Sequence, residues 1–167
     1  TAEVDVVLSP GEVISGTVYD PFGTALPGAR CKVNQMGARS QGPPIDLTYD
    51  GLETDESGQF IFDTLTDGDY RLLVSYPDFA TYQELRIRPG TDPLNIQLSE
   101  GAAISGSVLD VETNGPIPGA VVTVNDVADV RKTSVTDGDG HYFVRGITEQ
   151  RRPTVYVSVV ATGYTRS

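Results

Sequence analysis

The residues best suited to chemistry in this 167-residue sequence are acidic side chains in two glycine-containing turns. One turn reads Asp137-Gly138-Asp139-Gly140, and Asp55 opens a similar turn earlier in the chain. Alternating carboxylates beside glycine suit Ca²⁺, which takes roughly six to eight oxygen ligands from a tight loop. Turns between strands select Asp and Gly for backbone reasons alone. We therefore expect ordinary turns, with Asp137, Asp139 and Asp55 as the candidate calcium site and no other cofactor.

Residues for nucleophilic or acid–base catalysis are sparse. The single histidine, His141, follows the second turn without a serine or cysteine arrangement around it. The single cysteine, Cys31, lies in the alternating segment ARCKV, which predicts a small buried side chain rather than a reactive thiol. It has no partner for a disulfide within the chain. The sequence therefore predicts that the protein is not an enzyme.

Charge and composition exclude several classes of protein. There are 12 basic and 23 acidic residues, a net charge of −11, and such a surface repels nucleic-acid phosphates. No apolar run is long enough for a transmembrane helix, and 18 Gly with 11 Pro are too many for a helical bundle. The chain starts at Thr1 without a signal-peptide pattern, so we expect that a leader was removed or that the chain is a segment of a longer one.

Three motifs occur twice in the same order. They are VISGTVYD at 13–20 and AISGSVLD at 103–110, LPGA at 26–29 and IPGA at 117–120, and TDESGQF at 54–60 and TDGDGHY at 136–142. Each copy consists of short alternating segments bounded by Gly, Asp and Pro, and no segment has a sustained helical period. The sequence therefore predicts an all-β fold of two antiparallel β-sandwiches in tandem.

These motifs resemble those of the carboxypeptidase regulatory-like domain family. The elements I-S-G-x-V-x-D, P-G-A and T-D-x-x-G-x-[FY] appear in both copies. The resemblance implies a transthyretin-like (prealbumin-like), Ig-like β-sandwich of about seven strands per copy. It implies a non-catalytic module and leaves the function open. Related repeats of the collagen adhesin carry a Lys–Asn crosslink that needs Lys on the first strand, and neither copy has one there.

The two copies differ at their ends. The first copy closes with LNIQLSEG at 94–101, and VDVVLSPG at 4–11 repeats that pattern with the same offset of 90 that aligns Gly16 with Gly106. The second copy stops before any such strand. We therefore expect an N-terminal donor-type strand at 1–11, a first sandwich at 12–100 and an incomplete second sandwich at 101–167 that lacks its closing strand.

Three arrangements would use the N-terminal strand. It completes the second sandwich of the next subunit in a head-to-tail homopolymer, it belongs to a longer covalent array, or it folds back on its own chain. For the first arrangement, the predicted donor residues are Val4, Val6 and Leu8, and the predicted acceptor edge is Val155, Val157 and Val159.

The charge distribution favours a directional contact. Residues 12–100 hold six basic and fourteen acidic side chains, a net −8, whereas residues 101–167 hold six basic and seven acidic, a net −1. An acidic leading module and a nearly neutral trailing one favour head-to-tail over head-to-head pairing.

The sequence therefore predicts a structural subunit of an extracellular filament or microbial cell-surface fibre. The alternative is a spacer or carbohydrate-binding module of a large multidomain surface protein, since aromatic faces can stack on sugars. Its candidate binding residues are Tyr49, Tyr76, Phe79 and Tyr82, with Gln35 and Met36 in the first-copy insert. Ser and Thr near both ends are candidate O-glycan sites, and neither nucleic acid nor membrane insertion is expected.

Overall fold

The computed structural model describes residues 10–36, 51–149 and 155–164. The first seven strands are β1 Glu12–Tyr19, β2 Arg30–Gln35, β3 Leu52–Glu53, β4 Gln59–Leu65, β5 Tyr70–Tyr76, β6 Phe79–Ile87 and β7 Leu94–Gln97. The other five are β8 Ala102–Ser107, β9 Val121–Asn125, β10 Arg131–Val135, β11 His141–Ile147 and β12 Tyr156–Val160, with a 3₁₀ turn at Val127–Asp129. The predicted all-β fold is confirmed. None of the described helical structure is long and apolar enough to span a bilayer.

The first sandwich packs two sheets face to face. One sheet has the order β4-β1-β7 and the other β3-β2-β5-β6. Alternate residues point into the space between them, because successive side chains of a strand face opposite sides. Ile14 and Val18 of β1 and Val33 and Leu72 of the facing sheet are all 0% exposed. Strand β1 lies at the centre of its sheet and carries much of this core.

The second sandwich repeats five strands of the first, and its described part has no counterpart of β6 or β7. Its sheets have the orders β11-β8 and β10-β9-β12. The pairing of Gly16 with Phe60 in β1 and β4 recurs as Gly106 with Tyr142 in β8 and β11. Both pairs of strands also shift register near their far end. The motifs repeated in the sequence therefore correspond to repeated backbone geometry.

A buried threonine explains one of the repeated motifs. The Thr54 hydroxyl accepts a hydrogen bond from the Ala29 N–H at 2.9 Å and donates to the Leu26 carbonyl at 2.7 Å. Thr136 makes the same two bonds in the second sandwich at 2.8 and 2.7 Å. Because both backbone groups are buried, losing the hydroxyl would leave them unpaired. The threonine thus ties the P-G-A turn to the strand before the T-D turn.

Candidate assembly site

The edge of β1 in the first sandwich is closed by β7. The two strands run parallel, with Gly16 beside Leu94 and Val18 beside Ile96. Ile96 is only 2% exposed, so β7 adds a core side chain as well as backbone hydrogen bonds. An uncovered edge would present those backbone groups to any extended chain. Strand β7 therefore completes this sandwich.

The equivalent edge of β8 is open among the residues that the structure describes. Ile104 and Val108 are partly exposed, whereas their counterparts Ile14 and Val18 are fully buried. The core of the second sandwich is correspondingly small. Its described buried apolar side chains are Ile117, Ala120, Val122, Val124, Val144 and Ile147. The apolar side of β8 thus lacks the cover that β7 gives to β1.

Strand β12 also has an open edge in the described part of the chain. It pairs with β9 as β5 pairs with β2, but no described strand takes the place of β6. Val124 is the repeat equivalent of Val33. Because Val157 pairs with Val124 and Leu72 pairs with Val33, Val157 corresponds to Leu72. Leu72 is 0% exposed and Val157 is 42% exposed. The inner face of β12 is therefore uncovered too.

Two glycines mark where a neighbouring strand approaches. A Cβ built on Gly16 would lie 2.6 Å from the Leu94 carbonyl oxygen and 2.9 Å from the Phe60 ring. A Cβ on Gly106 would lie 2.7 Å from the Tyr142 hydroxyl, and its three nearest atoms all belong to the Tyr142 side chain. At Gly16 the absence of a Cβ lets β7 approach closely. The repeat has glycine at the equivalent position, Gly106, next to the open edge of β8.

The predicted donor residues Val4, Val6 and Leu8 lie outside the described residues. The predicted acceptor edge at 155–159 therefore stays a prediction. Val157 is exposed, and Val155 and Val159 are partly buried. In the first sandwich the closing strand β7 pairs with β1, whose equivalent in the second sandwich is β8. By this analogy a donor strand would pair with β8, and the 155–159 segment would face it from the opposite sheet.

The candidate calcium residues are used for backbone turns. Asp55 Oδ1 accepts hydrogen bonds from the N–H groups of Ser57 at 2.9 Å and Gln59 at 2.8 Å. Asp137 Oδ1 accepts the equivalent hydrogen bonds from the N–H groups of Asp139 at 3.0 Å and His141 at 2.9 Å. Asp55 lies in the first sandwich and the other two in the second. The described residues contain no group of three or more potential ligands that could hold a metal ion.

The residues considered for catalysis sit in separate places. Cys31 is 0% exposed, and burial raises the pKa of its thiol to about 12. His141 lies 3.8 Å from Asp137 Oδ1 on the surface, with most of its side chain in solvent. Since a thiolate is the nucleophilic form, the raised pKa opposes reactivity at neutral pH. The structure does not bring Cys31 and His141 together in one sandwich.

The predicted sugar-binding residues are dispersed. Tyr76 and Phe79 stack on each other with ring centroids 5.5 Å apart at the β5–β6 turn. The Tyr82 hydroxyl donates to Glu84 at 2.7 Å, and Gln35 donates to the Thr66 hydroxyl and the Asp67 carbonyl. Tyr49 lies outside the described residues, and Met36 is 39% exposed. Among those of these residues that the structure describes, Tyr76 and Phe79 form a ring stack.

A polar cluster that the sequence did not indicate joins the two sandwiches. We call Thr81, Asp126, Lys132 and Thr148 the junction cluster. Lys132 of β10 is 4% exposed, and its Nζ donates to the Phe79 carbonyl at 2.7 Å and to the Tyr76 carbonyl. Both acceptors lie in the β5–β6 turn of the other sandwich. Burial lowers the pKa of Lys132, and the nearby carboxylates of Asp126 and Asp78 oppose that effect.

The carboxylate of the junction cluster is satisfied from both sides. Asp126 Oδ2 accepts from the hydroxyls of Thr81 and Thr148, each at 2.8 Å. Asp126 Oδ1 accepts from the Thr148 N–H at 3.0 Å. The Thr81 N–H donates in turn to the Thr148 hydroxyl at 2.9 Å. Since hydrogen bonds to a charged group are stronger than neutral ones, this cluster holds β6 against the end of β11.

The fold is that of a protein built from tandem β-sandwich modules. The chain belongs to the carboxypeptidase regulatory-like domain family, whose sequence profile matches residues 13–99. The match covers the first sandwich, which confirms the resemblance noted above. The second sandwich lies outside it, and its likeness to the first rests on the strand registers. A comparison with curated proteins gives no significant match.

Solved structures of similar shape are distant. The streptococcal ancillary pilin matches at 14% identity and a TM-score of 0.39 over 87% of this chain, which spans 58% of that pilin. The Bacillus anthracis TIE protein gives 14% and 0.39 over 90% of this chain, which spans 27% of it. A mutant of the shaft pilin SpaA from Lactobacillus rhamnosus GG gives 11% and 0.38, covering 95% of this chain and 92% of the pilin. Likeness at this level says nothing about function.

Proposed function

We propose that this chain is a structural subunit of an extracellular filament or microbial surface fibre that polymerises head-to-tail by β-strand complementation. The observation that carries the proposal is the edge of β8, beside which no described strand lies, whereas its counterpart β1 is closed by β7. The segment at 4–8 repeats the β7 pattern at an offset of 90. Such an exchange is heterologous, so it propagates along a filament. The subunit performs no catalysis in this proposal.

The β7 register specifies the proposed contact residue by residue. Leu94 lies beside Gly16, so Val4 of one subunit lies beside Gly106 of the next. Val6 then lies beside Val108, and both donor side chains cover the inner face formed by Val157 and its neighbours. Each buried valine or leucine contributes about 1.5–3 kcal/mol, while ordering the segment and immobilising a subunit oppose assembly. Backbone hydrogen bonds between the donor strand and β8 also favour assembly.

The experiment uses two substitutions that differ only in the face they occupy. Val6→Asp places a charge on the face turned to the core, and Val7→Asp places the same charge on the opposite face. We expect Val6→Asp to abolish filaments seen by electron microscopy and to leave a smaller species in light scattering. Val7→Asp should assemble like the unaltered chain. Equal behaviour of the two variants would refute strand complementation.

Denatured mass separates strand exchange from a covalent array. Filaments held by strand exchange dissociate in denaturant to the mass of one chain. A ladder of multiples would instead support the array, in which the segment at 4–8 closes a preceding sandwich of the same chain. Deleting residues 1–9 supplies a second check, since filaments of unchanged length after the deletion would exclude this segment as the donor.

The junction cluster favours a second candidate, a rigid spacer within a larger surface protein. Asp126 and Lys132 bond across the two sandwiches and are nearly buried, so they oppose hinge motion between them. A spacer needs this stiffness without needing an open edge. Small-angle scattering of the monomer after Val6→Asp tests it, because a flexible pair of sandwiches would contradict both roles.

A further inference from the structure

One concave surface of this acidic protein is basic. We call it the basic groove: it lies between the outer face of β2 and β5 in the first sandwich and β10 and β11 in the second. It is lined by six of the twelve basic residues of the chain, against two acidic ones, Glu53 and Asp78. The basic residues are Arg30, Lys32, Arg71, Arg131, Lys132 and Arg145.

The strand registers align these charges in rows. Arg30 and Lys32 alternate with the buried Cys31 on β2, so both point away from the core, about 7 Å apart. Arg71 of β5 pairs with Asn34 and lies diagonally across from Lys32 on the same face. Two strands of one sheet therefore place three basic side chains on the same face.

Most of these charges have no anionic partner. Among the described residues the ion pairs are Arg88 with Asp69 and His141 with Asp137, and none involves the groove. Lys132 is held by the carbonyls at the junction, which leaves five basic side chains directed at solvent or a ligand. Glu53 lies opposite Arg30 on β3, so the six basic and two acidic residues of the groove give a net charge of +4, which favours an anionic ligand.

Aromatic rings complete the lining. Phe143 is 51% exposed, and the guanidinium of Arg145 lies 5.1 Å from its ring centroid. Tyr76 lines the groove beside the β5–β6 turn. Exposed aromatic faces stack on the apolar faces of sugar rings, while guanidinium groups bind carboxylates in bidentate fashion. Both kinds of side chain line the groove.

We propose that the basic groove binds an acidic polysaccharide, a chain of sugars that carries about one carboxylate per residue. Duplex DNA, with one negative charge per about 1.7 Å, is repelled more strongly by the acidic remainder of the protein. A polysaccharide with about one carboxylate per residue has a lower charge density than DNA, so the acidic remainder repels it less. The site lies within one subunit and does not depend on polymerisation.

The test is calorimetric titration of the whole chain with a polygalacturonate fragment. Lys32→Gln combined with Arg71→Gln removes two charges from the groove, and Arg86→Gln combined with Arg88→Gln removes two from β6 and the loop after it. We expect the fragment to bind the unaltered protein less tightly as salt rises. The groove variant should bind about tenfold more weakly, as expected for two exposed charge contacts, and the β6 variant should bind within about twofold of wild type.

Four results would overturn the proposal. They are no binding of polygalacturonate at low ionic strength, equal binding of a neutral glucose oligomer, tighter binding of single-stranded DNA, and an equal loss in both double variants. Self-association that requires Lys32 and Arg71 in the absence of polysaccharide would instead assign the groove to a second copy of the chain. Thermal melts of both variants establish that each is folded.

Discussion

Replacing Lys132 by methionine should loosen the two sandwiches from each other. Methionine matches the length and apolar stem of lysine but donates no hydrogen bond. The Phe79 and Tyr76 carbonyls would then lose the donor that reaches them from β10. The rest of the junction cluster keeps its own bonds through Asp126.

The size of the effect follows from two opposing costs. Leaving a buried acceptor unpaired costs about 1–3 kcal/mol, and Lys132 serves two acceptors. Removing the buried ammonium offsets part of this loss of stability, because burying the charge carries a desolvation penalty. We expect a net loss of about 2 kcal/mol in the free energy of unfolding. For a chain of this length that corresponds to a melting temperature lower by roughly 4–8 °C.

The pH dependence gives an independent signature. Burial lowers the pKa of Lys132 from its ordinary value of 10.5, so between the lowered pKa and 10.5 the unfolded chain binds more protons than the folded one. Stability contributed by this group therefore rises with pH across that window and is lost as pH falls through the folded pKa. The methionine variant should lack this rise.

Calorimetry at neutral and alkaline pH measures both effects. The chain has one other lysine, Lys32, so Lys32→Met is the matched control and should change neither the melting temperature nor its pH dependence appreciably. We also expect the Lys132 variant to resolve two unfolding transitions where the unaltered chain shows one. A variant as stable as wild type at every pH, with a single transition, would refute the role assigned to Lys132.

Other predictions follow from single contacts. In denaturant unfolding, Gly16→Ala should lower the free energy of unfolding by about 3 kcal/mol and Gly106→Ala by about 1 kcal/mol. The nearest atom to the new Cβ is a backbone oxygen of β7 at Gly16 and a side-chain atom at Gly106. Equal losses would contradict the open edge. Hydrogen bonds from Thr113, then from Tyr164, lower the pKa of Asp110 to about 2, so its contribution to stability is present above pH 3.8 and lost as pH falls toward 2. In an NMR titration Tyr164→Phe should raise that pKa, and an unchanged value would be evidence against the bond. Because burial raises the pKa of the single cysteine to about 12, a thiol reagent at neutral pH should label only denatured protein, and rapid labelling of the native chain would contradict this.

The strands and the repeat could be predicted because both are local. Alternation at Ile14, Gly16 and Val18 and the Asp and Gly turns determine strand and turn positions without knowledge of partners. The order of strands within each sheet could not be predicted in this way. Nothing in the pattern of β7 indicates that it pairs in parallel with β1, since alternation describes the faces of a strand and not its neighbour.

The junction cluster and the basic groove could not be predicted for a related reason. Lys132 lies on the inward side of β10, opposite the buried Val124, and carbonyls of the β5–β6 turn in the other sandwich accept its hydrogen bonds. Arg30 and Arg145 are distant in sequence and become neighbours only when the two sandwiches dock. The inward position of Lys132 becomes visible only from its pairing with the buried Val124, which the sequence alone does not reveal.

The parallel pairing of β1 with β7 also determines how the first sandwich bears tension. The chain enters β1 at Glu12 and leaves β7 at Gln97, with the two strands pointing the same way. A pull on the two ends of the module therefore slides the strands past each other, and the hydrogen bonds between them share the load instead of opening one after another. A donor strand in the same register on β8 would transmit force between subunits in that same shearing geometry.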